Sequence, residues 1–162
     1  MLTKQISEFI ENLDIKNLEE RFIPGKTFIP ASAKKIDKTE IKLMVEASIE
    51  SWLTTGKFND QFEKKLANFI GIKHLITVNS GSSANLVAFS TLTSSELGER
   101  AIKRGDEVIS VAAGFPTTIN PILQFGAIPV FIDIDRKTLN IQVDLIEQAI
   151  SKRTKAIFIA HT

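Results

Sequence analysis

The sequence predicts an α/β fold with a mostly parallel sheet, and three features of its patterning carry that expectation. Short apolar runs rich in β-branched residues occur at 75–78, 107–111, 128–132 and 156–160. Between them lie segments whose apolar residues recur at helical spacing. The runs are nearly continuous instead of alternating, as expected for strands covered by helices on both faces. With 43% hydrophobic and 24% charged residues over 162 positions, the chain has the composition of a soluble globular domain able to bury such a core.

The elements follow in order. Leu2, Ile6, Phe9, Ile10 and Leu13 predict an amphipathic first helix, continuing brokenly from Leu18 to Phe22. Pro24, Gly25 and Pro30 interrupt it, so 22–35 reads as an extended connector. The expected organisation is a helical extension and connector over 1–35 and a main domain over 36–162. Asp37 with Glu40 is a capping-box pattern opening a helix with the apolar stripe Ile41, Val45, Ile49 and Trp52. Asp60 and Glu63 are expected to cap the next helix, whose inner face is Phe62, Leu66, Phe69 and Ile70 and whose stop is Gly71. The strand 75–78 then leads into Ser80-Gly81-Ser82-Ser83 and a helix to about Thr91. The strand 107–111 precedes a helix over about 117–125 ended by Gly126, and the strand 128–132 precedes a helix over 143–150. The last strand, 156–160, has no crossover helix after it. A parallel strand so placed leaves an apolar face uncovered, and the expectation is an N-terminal part of something longer.

Composition excludes several classes of function. Twenty basic residues against 19 acidic leave a formal net charge of +1, without the positive excess that phosphate backbones require, so nucleic acid is not an expected partner. Cysteine is absent, which removes disulfides, thiolate metal sites and a cysteine nucleophile from these residues. No apolar run reaches the roughly 18 to 20 residues that span a bilayer, and the first twenty residues carry charges every few positions where a secretory signal would be apolar. A cytoplasmic protein without a membrane partner is expected.

The segment 78–85, Val-Asn-Ser-Gly-Ser-Ser-Ala-Asn, places a small-residue turn between a strand and a helix start. Free backbone amides, the helix dipole and serine hydroxyls converge in such a turn, a combination suited to a phosphate dianion. The plainer alternative is a tight βα turn with Ser82 as N-cap. Neither GxxxxGK[ST] nor GxGxxG occurs. Phe115, between Gly114 and Pro116, follows a strand at the carboxyl edge of the sheet, where α/β ligands bind; it either stacks on a flat cofactor or joins the core. Trp52 with Thr54, Thr55 and Gly56 ends a helix in a loop that either touches ligand or is only a packed aromatic and a stop. Asp133 and Asp135 have the look of a metal pair, but alternate positions after a strand more often make a solvated turn, and no metal is expected. His161 ends a strand at the ligand edge and is a better site candidate than His74.

Taken together these segments resemble the DegT/DnrJ/EryC1/StrS family of sugar aminotransferases and dehydratases. The markers are Trp52-Leu53-Thr54-Thr55-Gly56, Phe62-Glu63, the SGSSAN of 80–85, Gly105-Asp106-Glu107-Val108-Ile109, and the run from Gly126 to Asp133. The resemblance implies the large domain of a pyridoxal-phosphate-dependent transferase of the aspartate aminotransferase type, fold type I, with pyridoxal or pyridoxamine 5'-phosphate as cofactor. SGSSAN and the segment 112–121 are most similar to the branch that dehydrates CDP-4-keto-6-deoxyglucose at C3 in dideoxysugar and O-antigen lipopolysaccharide biosynthesis. By that resemblance Gly81 and Ser82 hold the cofactor phosphate, Phe115 stacks on the pyridine ring, and Thr55 and Gly56 lie near the nucleotide-sugar. It places the catalytic residues, and the cysteines of an iron–sulfur cluster, beyond Thr162. It also implies a homodimer and an iron–sulfur flavin reductase as partners. The alternatives are a nucleotide-sugar aminotransferase of the same family and a non-catalytic phosphate-binding module.

Overall fold

The structure, a computed structural model, describes residues 3–14, 22–32 and 36–161. The chain divides into two compact units, Met1–Leu75 and Ile76–Thr162.

The first unit is helical. α1 (Lys4–Glu11) is capped by Thr3 and buries Ile10 as it packs on α2 (Lys38–Glu50). Lys42 pairs with the Glu11 carboxylate and Lys38 donates to the Glu11 carbonyl. The Lys42 ammonium donates to that carboxylate and holds Glu11 below its ordinary pKa. The expected continuation of the first helix falls largely on 15–21, outside the described residues. Within 22–32 the connector is not uniformly extended: it makes a turn in which the Thr27 amide donates to the Ile23 carbonyl at 2.9 Å. The capping box at α2 is present, with the Asp37 carboxylate accepting from the Thr39 amide at 2.7 Å and the Glu40 carboxylate from the Asp37 amide at 2.6 Å. α3 (Lys57–Ile70) starts earlier than expected. Gly56 occupies the cap, and Asp60 lies in the first turn, where its charge faces the positive end of the helix dipole. Gly71 ends the helix in the left-handed region at φ 75°. Of its expected inner face Leu66 is half-buried, whereas Phe62, Phe69 and Ile70 are exposed and Ala67 is the buried residue.

The second unit holds a three-stranded, all-parallel sheet of order β2-β1-β3, with β1 Glu107–Val111, β2 Ile128–Ile132 and β3 Thr154–Ile157. Every residue of β1 is buried, and its side chains alternate between two apolar layers. Val108 faces Phe89, Ile102, Ile122 and Ala127. Ile109 and Val111 face Ile132 and Ile141. The first layer includes α4 (Gly81–Leu92) and α5 (Pro116–Gln124), with the Phe89 ring 5.7 Å from Phe125 and 5.6 Å from Phe158. The second includes Ile146 and Ala149 of α6 (Ile146–Ala149). The helix expected over 143–150 is thus a 3₁₀ turn, Val143–Leu145, running into one short α-helix. Glu107 is tied down by Arg153 and by the Ser151 hydroxyl, each at 2.5 Å.

One expected strand is not formed. Among the described residues, 75–78 pair with no strand, and an apolar run becomes a strand only with a partner for its amides and carbonyls. β3 starts two residues earlier than expected and its named span ends at Ile157, although the Phe158 amide still donates to the Ile109 carbonyl at 2.9 Å. Among the described residues no helix is long and apolar enough to cross a membrane.

Candidate functional site

The phosphate-turn segment opens α4. Ser80, in extended backbone, is the N-cap: its hydroxyl oxygen accepts the Ser83 amide at 3.1 Å. This replaces the Ser82 cap of the plainer alternative, and it frees Ser82. A cap on the third amide of the helix satisfies one of the donors that a helix start leaves without an intrahelical acceptor. The amides of Gly81 and Ser82 have no protein acceptor among the described residues. Gly81 has ordinary helical backbone there, and a Cβ built on it meets nothing within 4 Å. Its lack of a side chain therefore relieves no crowding inside the chain. It leaves the approach to two free amides open, as a bound phosphate oxygen requires.

Ser82 also lines a cleft of about 180 Å³ with Ser83 and Leu86 of α4 and Thr117, Asn120, Pro121 and Gln124 of α5. The sequence reading did not single out Thr117, Asn120 and Gln124. Their spacing of three and four residues along a predicted helix, all polar, was the available signal. Phe115 stands at the N-cap position of α5, with Pro116 at the first helical position, where a missing N–H costs nothing. It is 71% exposed and belongs to neither apolar layer of this chain. Phe115 is not among the residues lining the cleft.

Thr55 and Gly56 belong to the first unit. They lie in the turn between α2 and α3 and line a cleft of about 770 Å³ with Ala47, Glu50, Trp52, Thr54 and Lys57. Ser51 reverses the chain at the end of α2 in left-handed backbone, φ 52°. Trp52 is 66% exposed and is no core aromatic; its indole N–H donates to the Thr55 carbonyl at 2.8 Å. A Cβ on Gly56 would come within 2.7 Å of the Trp52 Cδ1, so any side chain at this position would have to displace the ring beside it. Lys57 pairs with Glu50 and Glu46, and those carboxylates hold its ammonium above the ordinary lysine pKa.

The remaining candidates are placed otherwise. The Asp135 carboxylate accepts the amides of Lys137 and Thr138 at 2.9 Å each, closing a turn, and those bonds hold it below its ordinary pKa. Asp133 accepts the amide of Ile134. His161 is exposed, four residues past the end of β3, and His74 is exposed as well.

Comparison with known proteins gives these arrangements a context. The model of the DegT/DnrJ/EryC1/StrS aminotransferase family matches residues 34–162. The lipopolysaccharide biosynthesis protein RfbH of Salmonella typhimurium is 56% identical over 99% of this chain, which spans 37% of that protein. The dTDP-4-dehydro-2,6-dideoxy-D-glucose 3-dehydratase of Saccharopolyspora spinosa is 46% identical over 87% of this chain and 30% of its own length. Among solved structures, the E. coli GDP-4-keto-6-deoxy-D-mannose-3-dehydratase with bound hydrated PLP superimposes with a TM-score of 0.74 at 34% identity, over 79% of this chain and 32% of that one. The chain thus spans about a third of the length of the relatives it matches.

Proposed function

Because the chain belongs to the DegT/DnrJ/EryC1/StrS aminotransferase family, we propose that it contributes the cofactor-phosphate turn of an enzyme that removes the C3 hydroxyl of a nucleotide-linked 4-keto-6-deoxyhexose with pyridoxamine or pyridoxal 5'-phosphate. The observation that carries the reading is the open N-terminus of α4, where the amides of Gly81 and Ser82 have no acceptor among the described residues and a Cβ on Gly81 would meet nothing within 4 Å. In this reading those amides and the Ser82 hydroxyl donate to phosphate oxygens, with the helix dipole favouring the negative charge. The exposed ring of Phe115 offers a flat face to the pyridine, and the turn at Thr55 and Gly56 receives the nucleotide-sugar. When bound, the cofactor supplies an electron sink for bonds adjoining the sugar carbonyl.

The same reading includes a homodimer and an iron–sulfur flavin reductase. With no cysteine in its 162 residues, this chain supplies no cysteine ligand to an iron–sulfur cluster. The family's description favours transamination as the second reading. Product analysis separates the two: with the reductase and its electron donor supplied, CDP-4-keto-6-deoxyglucose would yield a 3-deoxy sugar in one case, and with an amino-acid donor supplied it would yield an amino sugar in the other.

The phosphate turn is tested by titrating pyridoxal 5'-phosphate into the protein that carries this chain, wild type and Gly81→Val. A charge-assisted hydrogen bond is worth roughly 1.5–3 kcal/mol, so blocking the amides is expected to weaken binding about tenfold or more. The melting temperature should hold, since a Cβ at this position meets nothing within 4 Å in this chain. Wild-type affinity in Gly81→Val would remove the main support for the assignment.

A further inference from the structure

We infer that Trp52 is a positioning residue for the nucleotide-sugar: its indole N–H holds the Thr55 carbonyl and so sets the shape of the turn that receives the substrate. The inference rests on the proposed role of Thr55 and Gly56, and the geometry around the indole is its basis. The turn is pinned at both ends. At its start, the left-handed Ser51 sends the chain out of α2; at its end, the Gly56 carbonyl accepts the Asp60 amide at 3.0 Å as α3 begins. Between these points the Trp52 Nε1 bond to the Thr55 oxygen, at 2.8 Å, spans the turn. The ring lies so close to Gly56 that a Cβ there would be 2.7 Å from Cδ1 and 3.0 Å from Nε1.

Within this chain the indole is 66% exposed and lines a cleft of about 770 Å³. Its N–H is spent on a backbone carbonyl of the very turn that lines the cleft. Truncating the ring should therefore disturb the cleft much more than the fold.

Trp52 is the only tryptophan in these 162 residues, and the emission that wild type has and Trp52→Phe lacks isolates its signal in the protein that carries this chain. Two variants act on the contact from opposite sides: Trp52→Phe keeps an aromatic ring without the donor, and Gly56→Ala pushes the indole away. In the protein that carries this chain, both should raise KM for CDP-4-keto-6-deoxyglucose roughly two- to twelvefold, the range of one neutral hydrogen bond, while kcat does not fall in step. Gly56→Ala should also make Trp52 emission more accessible to acrylamide. Both melting temperatures should stay near wild type. Independently of turnover, titrating the nucleotide-sugar into wild type should change Trp52 emission. A turnover failure with that change retained would sink the proposed reaction and leave the positioning inference standing. No emission change on titration, unaltered quenching in Gly56→Ala, or a KM unmoved in both variants would overturn the inference itself.

Discussion

Phe115 is the residue whose environment most separates function from packing. The phenyl ring is 71% exposed and outside both apolar layers of this chain, so its replacement removes no core contact made within these residues. Phe115→Leu is expected to leave the melting temperature nearly unchanged and to lower cofactor affinity, measured by the same titration as for Gly81→Val. A melting temperature that collapses while binding persists would return Phe115 to a packing role. Asp135 shows the converse case, a charged residue absorbed by its own turn. Its folded pKa is depressed below the ordinary value of 3.8, so the ionised form favours folding. That contribution is present above the ordinary pKa and is lost as pH falls through the depressed folded value. Asp135→Asn keeps an acceptor oxygen for the Lys137 and Thr138 amides but has no titration. Its stability between pH 5 and 2, followed by urea unfolding, should therefore fall less steeply than that of wild type.

At the scale of elements, capping decides where helices start, and capping was only partly legible. The Asp37 and Glu40 pattern marked α2 correctly because both halves of the box are local in sequence. Around Ser80-Gly81-Ser82-Ser83, three serines compete for one cap. Which hydroxyl turns back depends on where the chain leaves its extended conformation, and Ser80 takes that place. Ser80→Ala should destabilise the second unit by about 0.5–2 kcal/mol, the usual worth of an N-cap, in denaturant unfolding. The same loss exposes the Ser83 amide at the turn, so cofactor affinity should change as well. The start of α3 was misjudged for the opposite reason: acidic residues favour both a cap and a first turn, and Asp60 takes the second role.

At the scale of the whole molecule, the core of the second unit is built on one strand. β1 is covered on both faces, and Phe89 joins α4 to α5 and to the end of β3 through Phe125 and Phe158. Phe89→Ala should cost about 3–5 kcal/mol in denaturant unfolding, whereas Phe131→Ala, on the more exposed β2, should cost far less. Equal costs would mean that the two apolar layers are not the source of stability.

The local chemistry of the sequence determined the β1 and β2 strands, the α2 cap, the glycine stop of α3 and the order of strands and helices, because each rests on residues a few positions apart. The tertiary structure alone decided that 75–78 stays out of the sheet, since a strand needs partners that only the assembled ladder can supply or withhold. It decided likewise that Phe115 is exposed and that Thr117, Asn120 and Gln124 share a cleft with Ser82. Those outcomes depend on helix pairing across tens of residues, and composition and spacing along the chain do not encode distances of that kind.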